Sequence, residues 1–121
     1  MNKKQPTLEE LAKQCLEDSV RWFGDTDTIY SIPYYTLAML GEGGEFANLI
    51  KKIERGSLNF GDAKVRYELS MELTDVLIYL LNIAALMRTD LFAAYLHKRA
   101  YNEKRFIAER EKRDVEQAGT D

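Results

Sequence analysis

Apolar residues recur every three to four positions along most of the chain, the period of helices with one buried face, and no stretch alternates strictly as a half-buried strand does. The breaks between these runs carry residues that start or stop helices. Thr7, with Glu10 three positions on, has the spacing of a capping box, and Leu8 to Phe23 then runs uninterrupted until Gly24. Residues 25–32 mix polar and turn-forming types, and Ser31-Ile32-Pro33 reads as a cap followed by a proline tolerated in the first turn. A second helix is predicted from about Pro33 to Arg55, with Gly56 as its stop. Residues 56–62 form a loop by composition, and Asp62 caps a third, most apolar helix from Ala63 to about Met87. Asp90 follows a short turn and caps a fourth, from Leu91 to about Arg110. Connections this short favour antiparallel neighbours, so an all-α four-helix bundle is expected. It would form a single domain over residues 1–110, with 111–121 a charged, frayed tail.

Composition narrows the function. A chain of 121 residues with a net charge of −3 has no broad cationic surface, which argues against a nucleic-acid polymer as partner. Cys15 is the only cysteine, so an intramolecular disulfide and a cysteine-rich zinc site are both excluded; it reads as a small buried apolar residue. The N-terminal residues up to Pro6 are not followed by the apolar run of a signal peptide, because Glu9 and Glu10 interrupt it. The longest apolar stretch, residues 76–87, contains Asn82 and is shorter than the roughly 20 residues of a membrane span. A cytoplasmic protein with no membrane partner is the expectation.

Two acidic pairs change the picture further. Glu42 and Glu45 lie on the second helix, and Glu72 and Asp75 on the third. Acids three residues apart are common in a chain this charged, and Glu111 with Asp114 is such a pair in the tail. The surroundings of the first two pairs are what differ. At about 100° per residue, Tyr35, Ala38, Phe46, Leu49 and Ile53 fall within a sector of about 80°, with Glu42 inside it and Glu45 at its edge. On the third helix Val65, Val76 and Ile83 share a stripe, Glu72 sits about 20° from it, and Asp75 and Tyr79 lie a little further round. A carboxylate on a core-facing side must be paired, protonated or bound to a cation. Oxygen-only ligation suits Mg²⁺ or Mn²⁺ better than zinc. A di-iron bundle would add a histidine three residues after a glutamate, and the single histidine, His97, is not so placed and reads as a surface residue. Salt bridges to Lys51, Lys52, Lys64 or Arg66 are the alternative account. Gly41, Gly43 and Gly44 sit mid-helix at a cost of about 1 kcal/mol each against alanine, so they call for close approach of another helix or a ligand, or for a helix break.

Gly41-Glu42-Gly43-Gly44-Glu45, followed by Glu72-Leu73-Thr74-Asp75-Val76-Leu77-Ile78-Tyr79, resembles the ExxE and ExxD signature of MazG-like nucleoside triphosphate pyrophosphohydrolases, whose all-α superfamily also contains dimeric dUTPases and dCTPases. The resemblance runs from about Trp22 to Arg105 and includes the pattern Lys98-x-x-x-Asn102-x-x-Arg105. It implies that Glu42, Glu45, Glu72 and Asp75 hold Mg²⁺, with Mn²⁺ a possible substitute, and that Lys98, Asn102 and Arg105 touch the substrate's phosphates. Those three residues project within about 60° of one another on the fourth helix, which fits one site. Tyr79, Lys52 and Trp22 join them as candidate substrate contacts, and Phe23 and Tyr34 as further walls for a base. The implied reaction cleaves a (deoxy)nucleoside triphosphate between its α and β phosphates, with Glu45 the candidate base. Similar proteins assemble as dimers or tetramers, so a homo-oligomer is expected. A catalytically silent helical module that binds a nucleotide or protein is the rival reading.

Overall fold

Thr7 opens the first helix as its spacing with Glu10 predicts: its hydroxyl accepts from the Glu10 backbone N–H at 3.1 Å. In the computed structural model, which describes residues 3–25 and 27–120, α1 spans Leu8–Phe23. It ends at Gly24, whose φ of 88° lies where a side chain would be strained. The Met1-Asn2 start of the leader reading, Thr26 of the first loop and Asp121 of the tail lie outside the described residues.

α2 spans Ile32–Glu54, one residue earlier than expected at each end. The expected Ser31 side-chain cap is absent. A 3-10 turn over Ile29–Ser31 leads directly into the helix, so Ser31 is already in right-handed backbone and its hydroxyl makes no capping bond. Gly56, at φ 83°, closes the far end, where the Ser57 N–H donates to Lys52 O at 2.8 Å. The three mid-helix glycines leave α2 unbroken.

Asp62 caps α3, Ala63–Leu86, by accepting from the Lys64 N–H at 2.9 Å. Asp90 caps α4, Leu91–Ala118, by accepting from Ala93 N–H at 3.1 Å. α4 therefore runs past the predicted end near Arg110, and the tail expected to fray is helical as far as Ala118. Its residues are good helix formers, and Arg105–Glu109 and Arg110–Asp114 pair one turn apart.

All four predicted helices are present and no strand occurs among the described residues, the all-α arrangement of the MazG-like type. The chain divides after Thr89 into two compact units. In the first, α3 packs along both α1 and α2. Its C-terminal half is accordingly buried on several sides, at Leu81, Asn82, Ala84 and Leu86. Tyr35 of α2, 1% exposed, hydrogen-bonds to Ser19 of α1 and ties those helices together. The second unit is α4 itself.

By length and composition α3 would suffice to cross a membrane. The run at 76–87 weighed in the sequence is only part of this helix, which also carries Glu68, Glu72 and Asp75. Packing against α1 and α2 covers part of this apolar surface, while Leu73, Leu77 and Leu80 stay exposed.

Candidate metal centre and adjoining cavity

The stripe predicted on α2 is the one that turns inward. Tyr35 is buried, and Ala38, Phe46, Leu49 and Ile53 are half-buried, with Glu42 among them. On α3 Val65 and Leu69 are buried, and Glu72 follows Leu69 by three residues on the same side. The α2–α3 packing thus carries Glu42 against Glu72 and Asp75, and one carboxylate oxygen from each lies within 4.8 Å of the others.

Such a cluster is under electrostatic stress. Burial pushes the Glu42 carboxyl above its ordinary range, and a side-chain hydrogen bond with Glu72 and the charges of Asp75, Glu72 and Glu45 add to this. Salt bridges do not relieve it: the ion pairs among the described residues are Arg21–Asp18, Arg99–Glu103, Arg105–Glu109 and Arg110–Asp114. The donor set fits a hard divalent cation. Such a cation, held by these three oxygens, would keep further positions for water or phosphate. Glu42, Glu72 and Asp75 are the residues able to hold it.

Glu45 stands apart from this trio. It is exposed and lines a cleft with Glu72, Lys51, Lys52 and Arg55. Glu68 lines the same cleft, so its three basic and three acidic side chains balance, and Glu72 joins it to the trio. Asp75 borders a cavity of about 370 Å³ between α1, the 3-10 turn, α2 and α3. Its walls are aromatic: Trp22, Phe23, Tyr34, Tyr35 and Tyr79. The rings of Tyr35 and Tyr79 are 6.2 Å apart, and those of Tyr34 and Tyr35 meet edge-on at 5.7 Å. The Tyr79 phenol is pushed up by burial first, and then by Tyr34, Glu42, Asp75 and Tyr35, so it stays protonated and able to donate.

Trp22 and Tyr79 both line this cavity, and Lys52 lines the cleft beside Glu45. Lys98, Asn102 and Arg105 border a shallow groove on α4. There the Lys98 ammonium lies 5.0 Å from the Tyr101 ring centre, while Arg105 pairs with Glu109 at 3.0 Å. His97 is exposed, as expected. Cys15 is half-buried rather than buried in the core, and it lines the aromatic cavity. Burial and then Asp18 raise its thiol pKa.

Three features escape the sequence reading. Arg55 reads there only as a helix end, and Tyr35 as core, though it also walls the cavity. Asn82 reads solely as an interruption of an apolar run, and that interruption is the available signal.

No family model matches the chain. Individual proteins do. It is 34% identical to dCTP pyrophosphatase 1 of Bos taurus over 104 residues, 84% of this chain and 60% of that protein. To dCTP pyrophosphatase 1 of Homo sapiens it is 35% identical over 107 residues, 86% of this chain and 61% of that protein. The Gene 37 protein of Mycobacterium phage L5 is 39% identical over 61 residues, 50% of this chain and 54% of that protein. The chain spans about three fifths of the length of the dCTP pyrophosphatases it matches. Similarity over most of this chain, together with the acidic cluster, supports the MazG-like resemblance.

Proposed function

We propose that the chain is a MazG-like, magnesium-dependent nucleotide pyrophosphohydrolase that converts a (deoxy)nucleoside triphosphate and water to the monophosphate and pyrophosphate. The observation that carries this reading is the meeting of Glu42, Glu72 and Asp75, with Asp75 bordering an aromatic cavity and Glu72 bordering a cleft that holds Lys51, Lys52 and Arg55. A flat apolar base fits between aromatic walls, and a triphosphate needs cations and metal ligands beside it.

Trp22 and Tyr79 border the base, and the Tyr79 hydroxyl donates toward sugar or phosphate. Lys52 offsets phosphate charge from the cleft; Lys98, Asn102 and Arg105 are assigned to the phosphates through the family resemblance. For Arg105 this requires exchanging Glu109 for a phosphate oxygen, an exchange between two charge-assisted partners. Mg²⁺ or Mn²⁺, when bound by the acids, withdraws charge from the phosphate oxygens. Glu45, exposed next to the cluster, is assigned as base: it takes a proton from water as the water oxygen bonds to the α phosphorus. The bond from that phosphorus to the α–β bridging oxygen breaks, and pyrophosphate departs.

A panel of nucleoside triphosphates assayed for pyrophosphate with Mg²⁺ tests the reading, with dCTP included because the relatives are named for it. Release is expected from the wild type and should fall by at least about a hundredfold in Asp75→Ala and Glu42→Ala with helical content retained. Binding without turnover across the whole panel would favour the silent binding module instead.

A further inference from the structure

Deep in the aromatic cavity one polar group is left over. Asn82 lines that cavity, is 2% exposed, and donates from Nδ2 to the Ile78 carbonyl at 3.1 Å. Its Oδ1 is buried with no hydrogen-bond partner. The cavity's Ser19 and Tyr35 hydroxyls, in contrast, bond to each other. A buried, unsatisfied carboxamide oxygen is unfavourable unless a ligand satisfies it. The amide cannot be reversed to turn a donor outward, since Oδ1 would then oppose the Ile78 carbonyl.

Position along α3 says which part of a nucleotide would meet it. Asp75, Tyr79 and Asn82 lie on one side of the helix, and the seven residues from Asp75 to Asn82 rise roughly 10 Å. With phosphates at the acids, a ligand of nucleotide length reaches Asn82 with the edge of its base remote from the sugar. That edge carries an amino group in cytosine and adenine, and a carbonyl in uracil, thymine and guanine.

We infer that Asn82 is a specificity-determining residue: its Oδ1 accepts from the exocyclic amine of an aminopyrimidine or aminopurine base and disfavours the keto counterpart. This rests on the cavity being the base site of the proposed function. A keto base there would set two acceptors against each other and leave both unsatisfied, a mismatch that binding sites discriminate strongly.

Calorimetric titration of the full chain with dCMP and dUMP in Mg²⁺ reads the pocket without any chemical step. The wild type should bind dCMP at least about tenfold more tightly than dUMP. Asn82→Leu, close in size but without the acceptor, should lose that preference mainly by weakening dCMP. A second arm needs no variant: the monophosphate of 2-pyrimidinone deoxyribonucleoside, with hydrogen in place of the amine, should bind the wild type as weakly as dUMP. Equal binding of dCMP and dUMP by the wild type, or undiminished preference in a folded Asn82→Leu, would overturn the inference. The two readings fail separately. Pyrophosphate release with no amino preference removes only the role of Asn82, whereas a dCMP preference with no release from any triphosphate removes only the pyrophosphohydrolase.

Discussion

Glu42 sits where packing and charge oppose each other. Its carboxyl titrates above its ordinary range because of burial, the bond to Glu72 and the neighbouring carboxylates. A carboxyl whose folded pKa exceeds its unfolded value favours the folded state while protonated, and that advantage disappears as pH rises through the folded pKa. Metal-free protein is therefore expected to lose thermal stability as pH rises from the ordinary glutamate range toward neutrality. Glu42→Gln should melt higher than the wild type at about pH 7 without metal, and the gap should close near about pH 4. Saturating Mg²⁺ should reverse the order, since only the wild type keeps the full ligand set. Arg88 gives a separate test. It ends α3 with φ at 54°, in left-handed backbone that costs a side chain roughly 1 kcal/mol or more. Arg88→Gly is expected to stabilise the chain by about 0.5 kcal/mol in urea unfolding, the relief being partly offset by a more flexible unfolded chain. Glu42, Glu72 and Asp75 are legible in the sequence because each falls on the apolar side of its own helix. The leftover acceptor of Asn82 is not, since an unsatisfied atom is defined only by everything around it.

At the level of elements, α2 carries a cost that its own packing does not explain. A Cβ built on Gly41, Gly43 or Gly44 meets nothing within 4 Å, so among the described residues of the first unit no helix supplies the close approach expected there. Approach of a ligand to the backbone beside Glu42 is one account of these glycines, and it can be tested. Gly43→Ala should raise metal-free stability by up to about 1 kcal/mol in denaturant unfolding, through helix propensity. It should also lower pyrophosphate release about tenfold if substrate approaches the backbone beside Glu42; unchanged release would leave ligand approach out of the explanation. Helix starts at Thr7, Asp62 and Asp90 are readable because capping is chemistry between residues two or three apart. The extension of α4 to Ala118 is not, because charge suggests solvent exposure, and exposed residues one turn apart can still support a helix through ion pairs.

For the whole molecule, large apolar side chains stay exposed on both long helices of the first unit: Leu37 and Leu40 on α2, and Leu73, Leu77 and Leu80 on α3. Apolar surface of this extent on a small chain fits the proposed homo-oligomer. Light scattering behind size exclusion should give a dimer or larger, and Leu40→Glu should shift the mass toward a single chain; a monomeric wild type would remove the proposal. The helices, most of their caps and the acidic faces are determined by the sequence alone, because they depend on residues within a turn or two of each other. Only the tertiary structure decides which carboxylates meet, that Glu45 stands beside rather than within the trio, and that an aromatic cavity ends at Asn82. Those features arise where α3 packs against α1 and α2, between residues far apart in the chain, and the period of a single helix does not encode how one helix is turned against another.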